Sequence, residues 1–399
     1  MIACRACGSN RLDTVIDFGP QPIVHHYLKY QEQTYSLFPL TLESCDNCGF
    51  MQIKNPIDPD ILYVDYFTIS SWKYQPHMGR FIQLILEKTK IPLNASILEI
   101  GCNDGTFLEV LKDAGFKNLL GIEPTADASR LAMAKGLDVL KGFLCPDVAD
   151  SLVENHGKFD LVIIRAVLEH LADLDGFRLS IQSLLKPGGY IALDVPDSWF
   201  NLSEPDYTLW EEHVNYFTLE SLGRYLSSCG IQIIHDETII FSGRMLTAIG
   251  RYTGNVLNSS PNNIDKLSSA IIRYRELWPV FRKSLREYLF DLKEQGHRIA
   301  VYGAGARSCT FVNFNEIGSL IEFFVDDQEE KQGLWVPGCK LSIRPSHSLY
   351  EERITFCLLG VNTENESKVM EKHKAWIKNG GIFRSILPPS DMLLDSWPS

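Results

Sequence analysis

The chain has 399 residues, 45% of them hydrophobic and 22% charged, which sets about two or three globular domains as the expectation. Its net charge of −12 excludes a broad nucleic-acid surface, which needs basic side chains, but leaves room for a phosphorylated small molecule held by a few local donors. No apolar run is long enough to cross a bilayer and the first residues do not read as a signal peptide, so the expectation is a cytoplasmic protein with no membrane partner.

The first element, residues 1–70, is expected to be a small zinc-binding module of short strands. Cys4 and Cys7 stand in CRACG, Cys45 and Cys48 in CDNCG. Thiolates are soft ligands, and a two-residue spacer lets both sulfurs of a knuckle reach one tetrahedral ion. Four filled positions point to structural zinc and not to an open catalytic site. The wide gap between the knuckles calls for a hairpin or a long loop. His25 and His26 lie in that gap, with packing or surface roles favoured over zinc ligation.

Residues 71–253 alternate between strand and helix patterns. Helix is expected over Phe81–Thr89, Ala126–Lys135 and Leu219–Cys229, with another helix opening near Thr106. Strands are expected over Ser96–Ile100, Leu119–Glu123, Asp138–Leu140, Leu161–Arg165, Tyr190–Val195, Ile231–His235 and Met245–Gly250. The KPGG run Lys186–Gly189 reads as a turn. The βαβα order with short turns predicts an α/β fold with a doubly wound parallel sheet.

In such sheets ligands sit beyond the carboxyl ends of the strands. Glu99, Gly101, Asn103, Asp104 and Gly105 fall there, in ILEIGCNDGTF. The Glu-x-Gly-x-x-x-Gly spacing differs from the dinucleotide pattern, whose helix N-terminus holds a pyrophosphate. An acidic loop suits the ammonium and sulfonium charges of S-adenosylmethionine (SAM). Glu123 ends the next strand, where a carboxylate accepts from ribose hydroxyls. Gly142 and Phe143 follow the third strand and are placed at the adenine. Together these predict a SAM-type Rossmann-like domain.

His170 and His213 lie on the same predicted edge, and Glu212 precedes His213. Methylation at carbon first requires a proton to be removed beside a carbonyl, by a base of near-neutral pKa, with a donor for the enolate oxygen. Histidine oriented by a carboxylate fits that need.

Residues 254–399 are expected to hold a polar linker over 255–263, a long amphipathic helix over Asp265–Gln295 and a second α/β unit. Its Gly303-Ala304-Gly305 turn follows the strand Arg298–Tyr302. A lone GxG is weak as a dinucleotide signal.

The runs CRACGSNRL, CDNCGFMQI, DYFTISSW, ILEIGCNDGTFL, GIEPT, EEHVNYFTLESL, YGAGAR and VDDQEEKQGLWVPG occur in this order. On them the chain resembles the sugar C-methyltransferases of deoxysugar biosynthesis over nearly its whole length. The resemblance implies a zinc module, a SAM core and a C-terminal Rossmann-like domain that act on a nucleotide-linked 4-keto-deoxysugar. It implies His213 as general base, Glu212 as a binding or orienting group and His170 facing the sugar. Tyr66, Trp210 and Tyr216 are then expected around the sugar. Arg307 and Lys331 are the diphosphate candidates, with solvated charge as the alternative for both. The chain departs from that family's pattern at Trp210 and Thr68, where tyrosines are usual, at Ser242-Gly243-Arg244 and at Arg307. Methylation of O or N, or a SAM-binding scaffold without turnover, are the competing readings.

Overall fold

The computed structural model describes residues 3–63, 76–241, 243–255 and 264–397. Tyr66, Thr68, Ser242 and most of the expected linker lie outside the described residues.

Three sheets carry the chain. In the N-terminal module, Leu12–Gln21 pairs antiparallel with Phe38–Cys45, which pairs with Met51–Ile53. The loop 22–37 fills the gap between the knuckles. A fourth strand, Asn215–Tyr216, arrives from the far side of the core and pairs with Met51 and Gln52. That strand is two residues long, too short to leave a periodic signature in sequence.

The second sheet has seven strands. Across it run Ile231–Ile240, Arg244–Tyr252, Leu185–Pro196, Phe159–Arg165, Ser96–Ile100, Asn118–Glu123 and Val139–Lys141. The expected parallel sheet is mixed, because Arg244–Tyr252 runs antiparallel to both its neighbours. Only residues 241–243 connect it to Ile231–Ile240, a link too short for a parallel crossover. The KPGG run is not a free turn either. It lies inside Leu185–Pro196, and pairing with Phe159–Arg165 shifts register beside it. Gly188, at φ +77°, takes up that irregularity.

The third sheet orders Ile343–Arg344, Phe324–Val325, Ile299–Tyr302, Phe356–Leu359 and Ile382–Ser385, with every pairing parallel. The helix Ile264–Glu294 joins the second unit to the third. Its buried residues Leu267, Ile271, Tyr274, Trp278, Phe281, Leu285, Leu289 and Leu292 recur every three or four positions, which puts them on one stripe. One apolar core takes in that stripe, Val15 and Phe18 of the first module and Val301 and Phe324 of the third unit. A second core joins Cys4, Cys45, Cys48 and Phe50 to Phe217 and Leu222 of the central unit. The zinc module therefore packs into both cores, and each large side chain buried there contributes about 1.5–3 kcal/mol.

Candidate active site

The cysteine knuckles close on one another. Cys4 Sγ lies 3.6 Å from Cys48 Sγ, and Cys7 Sγ 3.7 Å from Cys45 Sγ. The edge of a tetrahedron with Zn–S bonds of ~2.3 Å is ~3.8 Å, so the four thiolates fit zinc. Tight turns shape each knuckle, with Gly8 N–H donating to Cys4 O and Gly49 N–H to Cys45 O. Asn47 Nδ2 donates to Cys7 Sγ at 3.6 Å, an outer partner for a thiolate.

The loop 101–105 lies at the carboxyl edge of the seven-stranded sheet. Gly101 and Gly105 hold left-handed backbone, at φ +71° and +77°. A Cβ at Gly101 would come 2.4 Å from Val167 Cγ2, and one at Gly105 2.3 Å from Leu137 Cδ1. Both positions therefore demand glycine. Glu123 Oε2 accepts from Asn103 N–H at 2.9 Å, and its Oε1 accepts from Thr125 N–H at 2.8 Å. Asp104 is committed locally. Its Oδ1 accepts from the Thr106 N–H and hydroxyl at the start of the helix Thr106–Asp113, and its Oδ2 pairs with Lys135 at 3.1 Å. Gly142 and the half-exposed Phe143 line the same cavity.

Glu99 is fully buried on this edge, and its Oε2 has no hydrogen-bond partner among the described residues. Burial pushes its carboxyl up to about 8. The neighbouring carboxylates Asp194, Glu123 and Asp104 add to that rise, against Arg165. A cationic ligand would answer this orphaned oxygen, so the donor set fits the positive charges of SAM. Arg165 and His77 face the same space and were not singled out from sequence. Arg165 stacks 4.4 Å over the Phe107 ring, and its Nη2 lies 3.4 Å from His77 Nε2. Burial, then the Arg165 charge, lowers His77 to about 4. The pair is a candidate clamp for a carboxylate.

Beyond this edge stand the histidines. His170 ends the 3₁₀ turn Leu168–His170, and its Nδ1 lies 3.0 Å from Glu212 O. Donation there fixes the tautomer and leaves Nε2 as the lone-pair nitrogen. The ring of His213 meets that of His170 edge-on at 4.8 Å and is covered by Trp210 at 3.8 Å. His170 and Glu212 line the cavity, whereas His213 and Tyr216 are buried and do not line it. Trp210, expected with Tyr216 around the sugar, is partly exposed and does not line it either. Backbone bonds set the cluster, with Val214 N–H donating to Glu169 O at 2.8 Å. Asn215 Nδ2 adds bonds to Leu168 O and Leu171 O at 2.9 and 2.7 Å.

Arg307 and Lys331, expected at a diphosphate, are used inside the protein. Arg307 pairs with Asp206 at 2.8 Å and donates to Thr208 Oγ1 at 3.0 Å. Lys331 Nζ donates to Ala304 O at 3.1 Å and faces Asp326 at 3.4 Å. The Ala304 N–H donates to Asp326 Oδ2 at 2.8 Å. The Ala304 N–H of the Gly303–Gly305 turn is thus already taken by a carboxylate. Arg307 joins the third unit to residues 206 and 208 of the central unit, whereas the ion pair of Lys331 lies within the third unit.

Three family models match in chain order. They are a domain described as binding zinc over residues 4–63, a methyltransferase domain over 72–236 and a C-methyltransferase C-terminal domain over 268–388. C-methyltransferase NovU of Streptomyces niveus is 25% identical over 402 residues, covering 96% of this chain and 95% of that protein. A ubiquinone biosynthesis O-methyltransferase of Nitrobacter winogradskyi is 28% identical over 163 residues, 37% of this chain and 60% of that one. This chain is a SAM-dependent methyltransferase. Among solved structures, magnesium protoporphyrin IX methyltransferase from Synechocystis with bound SAH is 14% identical over 44% of this chain and 83% of that one, at a TM-score of 0.35.

The methyltransferase has one large cavity of about 1800 Å³, beyond the ~300–1,000 Å³ that serves a single small ligand. It runs from the loop 101–105 past His170 and Glu212 to Lys29, Tyr30 and Tyr35 of the first module. SAM and a second substrate both have room.

Glu123→Ala is expected to weaken SAM binding on the order of a hundredfold. Two ribose hydroxyls donating to one carboxylate are worth at least about 3 kcal/mol. Calorimetric titration of SAM reads this, and an unchanged Kd would remove Glu123 from the ribose site.

Proposed function

We propose that this methyltransferase transfers its methyl group to a carbon beside the ketone of a nucleotide-linked 4-keto-deoxysugar. The observation that carries the reading is the cavity, which joins the SAM loop to an imidazole and a carboxylate within one space large enough for two ligands. The C-methyltransferase family match over residues 268–388 and the full-length likeness to NovU support transfer to carbon.

SAM, when bound, supplies an electrophilic methyl group. The protein's own tasks are to remove the proton and to hold the acceptor in line. In this reading His213 takes the proton next to the ketone, His170 faces the sugar with its unprotonated Nε2, and Glu212 binds a hydroxyl. Since Arg307 and Lys331 are used internally, the nucleotide is placed at the outer rim, against Lys29, Tyr30, Tyr35 and Leu334. No helix among the described residues is long and apolar enough to cross a membrane. The buried free thiols Cys229, Cys309 and Cys357 suit a reducing compartment, which keeps the cytoplasmic expectation.

The likeness of the central unit to ubiquinone biosynthesis O-methyltransferases motivates a second reading, transfer to oxygen. One experiment separates them. The protein is incubated in D₂O with SAM and a panel of nucleotide-linked 4-keto-deoxysugars, and products are read by mass spectrometry and NMR. A new C–CH₃ group, with deuterium exchange at the carbon beside the ketone in unconverted substrate, is expected. A methoxyl product without exchange would replace the proposal with O-methylation.

A further inference from the structure

The first module sends a side chain into the active site. His25 lies in the loop 22–37, and with Glu212 it lines the cavity. Its Nδ1 stands 2.8 Å from Glu212 Oε1, and its Nε2 3.2 Å from Leu62 O. Nε2 thus meets an oxygen in hydrogen-bond geometry, and Nδ1 lies at ion-pair distance from a second oxygen, off its N–H direction. An oxygen beside each nitrogen favours the protonated ring. The loop is anchored beside the pair, with Val24 N–H donating to Glu211 Oε1 at 2.8 Å.

The charged and titratable groups facing Glu212 come from three elements. The loop brings His25 and His26. The segment's own Glu211 stands 3.7 Å from His25 Nδ1. The 3₁₀ turn brings His170 to the Glu212 carbonyl. Burial alone would raise the Glu212 carboxyl, yet it lies below its ordinary range because the His25 pairing outweighs that cost. His25 is raised in turn by Glu212 and Glu211, against its burial. One shift is downward and the other upward, and each favours the charged form, as an ion pair requires.

We propose that His25 is a positioning residue of the active site, delivered by the zinc module, which keeps Glu212 ionised and aimed at the methyl acceptor. The proposal rests on the methyltransferase reading of the cavity, not on the identity of the sugar. It gives the N-terminal module a chemical role beyond covering the pocket.

The test is a histidine ¹⁵N NMR titration of the zinc-loaded full chain, with His25 assigned by the signal lost in His25→Asn. The His25 midpoint is expected above the ordinary value of ~6.5 and about 1 pH unit or more lower in Glu212→Gln. A midpoint that does not move in Glu212→Gln overturns the pair. This readout needs no sugar, so an absence of C-methylation would sink the substrate reading while leaving the titration decisive. If methylation is measured, His25→Asn has a second signature. Without the imidazolium the Glu212 carboxyl rises, so activity is lost at a higher pH as the solution is acidified. A wild-type acid limb in that variant overturns the positioning role, and a merely structural role would lower activity equally at every pH. If His25→Asn fails to retain zinc, His25→Gln supplies the assignment and the Glu212→Gln comparison is read in the same way.

Discussion

His213→Asn is expected to cut turnover by roughly 10²–10⁴-fold and to leave SAM affinity within about twofold, because a general base contributes that much and touches no part of the cofactor loop. Burial, the adjoining His170 and the Arg307 charge all hold His213 far below the usual histidine range, so it is neutral with its lone pair available at neutral pH. The sign follows directly. A base must be unprotonated, and a depressed pKa keeps it so. The rate should therefore stay flat through neutral pH and fall only on acidification below the ordinary histidine value. Burial likewise lowers His170, which has the better access to the cavity. Paired kinetics of His170→Asn and His213→Asn with saturating SAM separate the two. A larger loss in His170→Asn, with near-normal turnover in His213→Asn, would transfer the base to the ring whose tautomer the Glu212 carbonyl fixes.

Much of this chemistry could be read before any coordinates, and the boundary has a physical cause. The SAM loop is local: a strand, a turn that only glycine can make and a helix start within Ser96–Asp113. The zinc ligands are legible because each knuckle is a four-residue device. Glu212, His213 and His170 were singled out from their places after strands, and the structure brings the three side by side. What stayed hidden depends on distant segments meeting. His25 became an active-site residue only because the loop 22–37 lies against residues 211–212. Arg307 reads as a phosphate ligand after a Gly turn until Asp206 and Thr208 are seen to surround it. Arg165 was read only as the last residue of a strand, yet stacking on Phe107 and pairing with Asp194 at 3.6 Å hold it at the cavity wall. The reversed strand Arg244–Tyr252 could have been foreseen, since its short connection forbids a crossover.

Removing zinc, by chelation or by Cys45→Ser, is expected to abolish methyl transfer before it abolishes SAM binding. Structural zinc contributes about 10–16 kcal/mol, as much as or more than the ~5–15 kcal/mol that holds a whole domain folded. A zinc-free module therefore has little left to order it. The loss reaches the active site through identified bonds. Gln52 and Met51 pair with Asn215 and Tyr216. Arg5, one residue from the first ligand, donates to Asn215 Oδ1 at 3.0 Å and also to Val214 O. Val24 holds Glu211, and His25 holds Glu212. All of these lock the segment that carries Glu212 and His213. The SAM loop depends on different support, since Gly101 and Cys102 donate to Ile122 O and Asn103 to Glu123 within the seven-stranded sheet. Chelation followed in parallel by SAM calorimetry and by product formation should then show turnover lost while SAM Kd changes less than about tenfold. Equal loss of both would mean that zinc supports the whole protein through the shared core at Phe50 and Phe217. Turnover that survives in zinc-free protein would mean that the segment 211–216 keeps its shape through its bonds to Leu168, Glu169 and Leu171 alone.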